Sequence, residues 1–331
     1  MKLCIELALK GFSKAMPNPL VGCVIVHNDN IIGQGYHHKY GEHHAEVNAI
    51  NSVEDKSLLK ESTLYVTLEP CAHFGKTPPC ANLIVQSNIP KVVIGSLDTF
   101  SEVNGKGIKA LREAGITVKT LVLVDECRSI NKRFFTFHEK KRPYVILKWA
   151  KSSDGFIAPN NQTEPFWMTG KESKKLVHQW RSEETAIIVG KNTVIKDNPL
   201  LTTREINGKN PIRILIDKKL SLATNYAIFN HEATTLVVNE SKESERHVKV
   251  DFNSFFTSLM KALHQRGIQS LIVEGGAMTL NSFIASNYWD EARVFTSKKI
   301  LGNGIQSPVI ELDINKNTII DNDKLDYYFN I

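Results

Sequence analysis

The run Leu64-Tyr65-Val66-Thr67-Leu68-Glu69-Pro70-Cys71-Ala72-His73-Phe74-Gly75-Lys76-Thr77-Pro78-Pro79-Cys80 decides the fold. Leu64 to Leu68 is short, apolar and partly β-branched, the composition of a buried strand. Pro70 ends it, because proline cannot donate to a sheet ladder, and Cys80 to Ser87 then opens a helical run. The same alternation continues in both directions. Upstream, Leu20 to His27 reads as a buried strand, Asn28-Asp29-Asn30 as its turn and Ile31 to Tyr36 as the hairpin partner. A helix follows from near His44 through Glu46 to Ser52. Downstream, Val92 to Leu97 is a strand, Ile108 to Ala114 a helix closed by Gly115, and Thr117 to Leu123 a further strand. Strands alternating with helices specify a layered α/β sheet.

The chain has 331 residues, 42% of them apolar, which suits two domains that each bury a core. The basic connector between Glu126 and Arg142 is helix-compatible, and Tyr144 to Trp149 starts a new apolar strand. The boundary is therefore expected near Arg142-Pro143, with domains 1–142 and 143–331. The second half repeats the alternation in Ser173 to Arg181 (helix), Ala186 to Val189, Ile212 to Ile216 and Leu271 to Val273 (strands), and Met278 to Ala285 (helix). Asn207 to Val250 is otherwise polar and ambiguous. The net charge of +6 is mild and fits a phosphate-bearing ligand, without the basic runs of nucleic-acid arms. Five widely spaced cysteines argue for a reducing cytoplasm over a disulfide framework. Lys2, Glu6 and Lys10 interrupt any apolar leader, and no run approaches the roughly 18 apolar residues of a membrane span.

His44-Ala45-Glu46 precedes Pro70-Cys71 and Pro79-Cys80. The set supplies one imidazole, one carboxylate and two thiols in the order of the zinc deaminase signature H-x-E…P-C-x-x-C, with the two cysteines set further apart than usual. Catalytic zinc takes three protein ligands and keeps a fourth position for water, so His44, Cys71 and Cys80 are the expected ligands, one ion per chain. Helix N-termini at the two cysteines would favour their thiolates. Glu46 lies on the same helical turn as His44 and is the expected proton shuttle. A structural zinc site would need a fourth ligand, for which His43 and His73 are available. In the second half no G-x-G-x-x-G follows the first strand, which argues against a Rossmann domain. Val273-Glu274-Gly275-Gly276-Ala277-Met278-Thr279 reads instead as a strand, a small-residue turn and a helix start, suited to a dinucleotide pyrophosphate.

Pro17 to Gly22, Gly41 to Val47 and Thr67 to Cys80, together with Leu147-Lys148, Ser152 to Gly155, Trp167-Met168-Thr169, Thr193 to Arg204 and Val273 to Gly276, resemble the bifunctional riboflavin-biosynthesis deaminase/reductases. The long insertion between the cysteines is a mark of that family, and the resemblance covers nearly the whole chain. It implies a cytidine-deaminase-like αβα layered domain followed by a dihydrofolate-reductase-like α/β domain. It also implies two steps: zinc-dependent hydrolytic deamination of 2,5-diamino-6-(5-phosphoribosylamino)pyrimidin-4-one, then NADPH-dependent reduction of the ribosyl group of 5-amino-6-(5-phosphoribosylamino)uracil. By the same resemblance Asn18, His37, Lys76, Arg181, Leu201, Arg204 and Glu274 match substrate-binding positions. Ala150, Trp167, Thr193, Asp197, Gly275 and Gly276 match cofactor-binding ones. Lys148, Asp197 and Glu274 are expected near the reacting ribose carbon, beside Glu46 as the catalytic residue of the first domain. A small-molecule substrate, a cytoplasmic homo-oligomer and neither nucleic acid nor membrane as partner complete the expectation.

Each assignment has a plainer reading. Lys76 could be a solvated loop lysine, Arg181 and Arg204 surface salt-bridge partners, and Trp167 core filling. The sequence also departs from the family. Asp98-Thr99-Phe100-Ser101 stands where Asp-Pro-Asn-Pro is common, Pro165 replaces a serine, and Asn198 replaces an aspartate. The competing function is a zinc deaminase of another nucleobase or of tRNA with an accessory domain. Its only support is the connector Asn131 to Arg142, where Phe134, Phe135 and Phe137 stand among basic residues.

Overall fold

The computed structural model describes residues 1–72, 78–99, 105–160 and 166–330. The chain forms two compact units, Met1–Lys140 and Lys141–Ile331. In the first, α1 (Lys2–Leu9), β1 (Gly22–His27), β2 (Asn30–Tyr36), α2 (Ala45–Ser52), β3 (Thr63–Leu68), α3 (Cys80–Gln86), β4 (Lys91–Ser96), α4 (Lys106–Glu113), β5 (Thr117–Lys119), α5 (Val124–Ser129) and α6 (Lys132–Glu139) follow one another. The sheet order is β2-β1-β3-β4-β5. β1 and β2 form the antiparallel hairpin read from the sequence, and β3, β4 and β5 run parallel. Cys23, Ile25, Leu64, Val66, Val92 and Ile94 from the three central strands meet Ala45, Ala49 and Ile50 of α2 and Ile84 of α3 in one core. The two helices that carry the metal-ligand candidates are thereby packed on the same sheet.

The stretch expected as a strand over Thr117 to Leu123 keeps only its first three residues. Leu121 and Leu123 have φ of 62° and 55°, a left-handed conformation that no strand accommodates, and α5 starts immediately afterwards. The connector is helical, but Phe134 and Phe135 are buried against Leu68. These two rings cannot stack on bases. α6 is tied down by Asn131, whose buried amide both accepts from the N–H and donates to the carbonyl of Leu20, at 2.7 and 2.8 Å.

The second unit contains β6 (Tyr144–Lys151), β7 (Phe156–Ala158), α7 (Lys171–Glu183), β8 (Ala186–Gly190), α8 (Lys191–Asp197), β9 (Ile212–Ile216), β10 (Thr235–Asn239), β11 (His247–Lys249), α9 (Phe255–Gln265), β12 (Ser270–Val273), α10 (Ala277–Ala285), β13 (Glu291–Thr296), β14 (Ile305–Gln306), β15 (Lys316–Ile320) and β16 (Asp323–Phe329). Nine strands form one sheet, ordered β11-β10-β9-β8-β12-β6-β13-β16-β15 and parallel from β11 to β13. Side chains alternate between its faces. Val145, Leu147, Ala186, Ile188, Leu271 and Val273 enter one core, and Tyr144, Ile146, Ile187, Val189 and Ile272 the other. Burial on both faces explains why these strands read as unbroken apolar runs. β8 and β12 are adjacent, so the loops leaving their C-terminal ends lie side by side. Among the described residues no helix is long and apolar enough to cross a membrane.

Candidate active sites

His44 is the N-cap residue of α2, Cys71 follows the end of β3, and Cys80 is the first residue of α3. Their ligand atoms lie within 4.8 Å of one another. His44 Nδ1 is 3.6 Å from Cys71 Sγ and 3.3 Å from Cys80 Sγ. A tetrahedral zinc ion with ordinary bond lengths separates its nitrogen and sulfur ligands by roughly 3.5 Å. Donor type and spacing thus both fit zinc. Among the described residues no fourth ligand joins the set. His43 is exposed, and its carbonyl accepts from His37 Nδ1 at 3.0 Å; His73 lies outside the described residues.

Only Cys80 starts a helix; Cys71 sits in a loop whose carbonyl accepts from Ala81 N. The expectation of two helix-activated thiolates is corrected accordingly. Hydrogen bonding from Cys80 and, against the effect of burial, from His44 holds the Cys71 thiol down to about 4. Cys80 moves the other way, raised by that same hydrogen bond and by burial. Glu46 is 3% exposed, and burial followed by the nearby Cys71 charge pushes its carboxyl up to about 7.

Glu69 was not singled out from the sequence. It is buried, and its carboxylate accepts four backbone N–H groups: Asp98 and Gly105 on Oε2 at 3.3 and 3.1 Å, Gly107 and Ile108 on Oε1 at 3.0 and 3.2 Å. One side chain next to the metal loop therefore satisfies donors that the first turn of α4 cannot pair internally. A Cβ at Gly107 would stand 2.0 Å from the Pro70 carbonyl oxygen, so only glycine lets α4 approach Pro70-Cys71. The pattern Asn104-Gly105-Lys106-Gly107 was the available signal.

Asn18 Nδ2 and His37 Nε2 are 3.1 Å apart, and the His37 ring meets the His44 ring edge-on at 5.4 Å. His37 is 2% exposed, and burial followed by the neighbouring His44 lowers its pKa. Both of its ring nitrogens are engaged, Nδ1 with the His43 carbonyl and Nε2 with the Asn18 amide. Lys76 lies outside the described residues.

In the second unit the C-terminal ends of β8 and β12 carry two helix caps, Gly190 before α8 and Gly276 before α10. Thr193 Oγ1 accepts from Gly276 N at 3.0 Å and joins the two. A Cβ at Gly275 would meet Thr279 Cβ at 2.6 Å. Glu274 precedes this turn. Its carboxylate accepts from Arg181 Nε and Nη2 at 2.9 and 2.8 Å and faces Lys148 Nζ at 3.4 Å. Burial pushes the Glu274 carboxyl up, but Arg181 and Lys148 outweigh it and hold it down to about 2. Burial, with the Arg181 charge beside it, lowers Lys148 against the opposing pull of Glu274.

The structure brings Lys148, Arg181 and Glu274 into one cluster with little side-chain exposure, and Thr193 and Gly276 together beside it with Gly275 between. Asp197 is exposed at the last residue of α8. Ala150 packs on the core face with Tyr144 and Ile146. Trp167 is 51% exposed with Lys174 Nζ 4.4 Å over its ring, so it does not fill core. Leu201 is buried with φ 55°, and the Arg204 side chain is exposed. Asn198 ends α8 at φ 40°, a conformation asparagine tolerates, and its Oδ1 accepts from Ala227 N. Pro165 lies outside the described residues, as do Phe100 and Ser101.

Residues 1–96 match the cytidine and deoxycytidylate deaminase zinc-binding region, and residues 143–323 match the RibD C-terminal domain. The riboflavin biosynthesis protein RibD of Aquifex aeolicus is 42% identical over 317 residues, covering 92% of this chain and 88% of that protein. Its namesake from Bacillus amyloliquefaciens is 38% identical, covering 94% and 86%. A crystal structure of a diaminohydroxyphosphoribosylaminopyrimidine deaminase/5-amino-6-(5-phosphoribosylamino)uracil reductase from Thermotoga maritima is 37% identical and superposes with a TM-score of 0.88 over 99% of this chain and 96% of that one. Acinetobacter baumannii RibD gives 30% and 0.89, covering 99% and 97%.

Fold and site together define a two-domain enzyme, a cytidine-deaminase-like zinc-binding deaminase joined to a dihydrofolate-reductase-like domain. The chain belongs to the RibD family, the bifunctional deaminase/reductases of riboflavin biosynthesis, which use NADPH in the reductase step.

Proposed function

We propose that the first domain, residues 1–142, hydrolyses the 2-amino group of 2,5-diamino-6-(5-phosphoribosylamino)pyrimidin-4-one, and that residues 143–331 then reduce the ribosyl group of the product with NADPH. The convergence of His44, Cys71 and Cys80 beside the buried Glu46 carries the first half of this reading. His44, Cys71 and Cys80 would hold a zinc ion, which would supply a water that ionises near neutral pH. Glu46 takes one proton from the attacking water to the ring nitrogen and then carries the remaining hydroxyl proton to the 2-amino group, which leaves as ammonia as C2 becomes a carbonyl. Standing two residues past His44, it does this without competing for the metal. His37 donates from Nδ1 to the His43 carbonyl and presents Nε2 to the Asn18 amide, so Asn18 is held to read the pyrimidine edge. Lys76 is assigned to the substrate phosphate on family resemblance.

In the second domain the turn Glu274-Gly275-Gly276, with Thr193 and Gly190 beside it, would hold the NADPH pyrophosphate, the Thr193 hydroxyl and the α10 cap standing together there. Trp167, Ala150 and Asp197 complete the cofactor side. The ribose meets Lys148, oriented by Glu274. Because Glu274 occupies the Arg181 fork, the exposed guanidinium of Arg204 is the group we assign to the substrate phosphate, with Leu201 shaping the wall and Arg181 acting through Glu274. Five free cysteines accord with a cytoplasmic protein. Edge strand β15 leaves Ile319 63% exposed, where a second copy could complete a homo-oligomer. One cuvette tests the sequence of steps: about one zinc per chain, ammonia release first, NADPH oxidation after it. NADPH oxidation with the diamino substrate but no ammonia would overturn the order.

A further inference from the structure

Lys174, His178 and Arg181 share one face of α7, spaced by four and three residues. Each holds a different point of the segment Leu201 to Glu205, which forms neither helix nor strand. Arg181 Nη1 donates to the Thr202 carbonyl at 3.4 Å, Arg204 N donates to His178 Nδ1 at 3.1 Å, and Lys174 Nζ pairs with Glu205 Oε1 at 2.7 Å. The outer two contacts are weak anchors. The Lys174–Glu205 pair is about one-third exposed, where solvent screens it, and the Arg181 fork is committed to Glu274. His178 is 1% exposed and grips the backbone of Arg204 itself. Leu201, at φ 55° without being glycine, sits at the start of this segment, a conformation that persists only where the surroundings impose it.

We propose that His178 is a positioning residue of the reductase site: its Nδ1 lone pair fixes the Arg204 backbone and so sets where the Arg204 guanidinium meets the substrate phosphate. This rests on the assignment of Arg204 to that phosphate. A backbone N–H only donates, so Nδ1 must accept and the ring proton sits on Nε2. Burial, then the Arg181 and Arg204 cations, hold the imidazole down to about 4 against Glu205 and Glu274, which keeps the lone pair available at neutral pH. The arrangement separates two duties on one helix: Arg181 serves the buried Glu274, and His178 serves the exposed Arg204.

The test uses the full chain, 5-amino-6-(5-phosphoribosylamino)uracil, its dephosphorylated counterpart and NADPH. His178→Gln, which carries no acceptor at the Nδ1 position, should raise KM for the phosphorylated substrate on the order of tenfold, with kcat and the KM for NADPH within about twofold. His178→Asn, whose Oδ1 can replace Nδ1, should restore KM to within about twofold of the parent. Neither variant should alter kcat/KM for the dephosphorylated substrate, and His178→Gln should add nothing to Arg204→Ala. Equal effects of Asn and Gln, a matching loss with the dephosphorylated substrate, or additivity with Arg204→Ala would overturn the proposal. Arg204→Ala with an unchanged KM would instead remove the phosphate assignment beneath it.

Discussion

Replacing Glu274 by glutamine removes one buried negative charge and leaves two buried cations facing each other. The Arg181, Lys148 and Glu274 side chains are 11%, 16% and 8% exposed, so solvent does little to compensate. The carboxyl falls from an ordinary 4.5 to about 2 in the folded chain. At about 1.4 kcal/mol per factor of ten, that preference for the ionised form contributes roughly 3 kcal/mol at neutral pH. Measured costs of removing one member of a buried pair, about 3–5 kcal/mol, are similar. Because the folded value is depressed, the contribution is complete above the unfolded value and disappears as pH falls from about 4.5 toward 2; at pH 3 under half of it should remain. The assay is urea unfolding followed by tryptophan fluorescence. All four tryptophans, Trp149, Trp167, Trp180 and Trp289, lie in the second unit, so the signal reports that unit. Glu274→Gln should lose about 3 kcal/mol at pH 7, with the gap to the parent closing by more than half at pH 3. A gap below about 1 kcal/mol at pH 7, or one that does not narrow, would refute the reasoning.

Glu46→Gln should retain about one zinc while ammonia release falls by at least about 100-fold, and NADPH oxidation with pre-deaminated substrate should continue; loss of zinc would make Glu46 structural. Gly107→Ala places a methyl against the Pro70 carbonyl and should destabilise the first unit by about 1–3 kcal/mol, read as a lowered Tm and faster zinc loss to a chelator. Cys71→Ser should abolish zinc retention and deamination but leave the tryptophan-reported unfolding of the second unit in place; a parallel loss there would show that the two units do not unfold independently. Asn131→Leu strands both backbone groups of Leu20 and should cost about 2 kcal/mol or more in the first unit, measured by thermal unfolding.

Much of the parallel sheet was legible because its strands are apolar on both faces. Leu64 to Leu68, Val92 to Leu97, Tyr144 to Trp149, Ala186 to Val189 and Leu271 to Val273 all fall on observed strands. β13 was not read. It alternates Ala292 and Val294 with buried Glu291 and Arg293, so its interior imitates a surface strand. Those charges pair with each other at 2.7 Å, Tyr144 donates to Glu291, and Arg293 lies over the Trp180 ring. Ile212 to Ile216 was read as a strand despite Arg213, whose buried guanidinium is spent on the carbonyls of Leu200, Asn230 and Ala233. The metal set was visible because its chemistry is confined to a few residue types at family spacing. The Arg181–Glu274 pair was not, since 93 residues separate its members and only the fold joins them. His178 carried no signal beyond its position one turn before Arg181.

The four bonds to Glu69 involve main-chain N–H groups alone, and that has a consequence for divergence. Any residue except proline supplies such a group, so Asp98 and Gly105 remain moored whatever side chains lie between them. Replacements such as Thr99 leave the mooring untouched. Descendants of this scaffold are free to change the side chains between Asp98 and Gly105, while the anchoring of both ends rests on a single carboxylate.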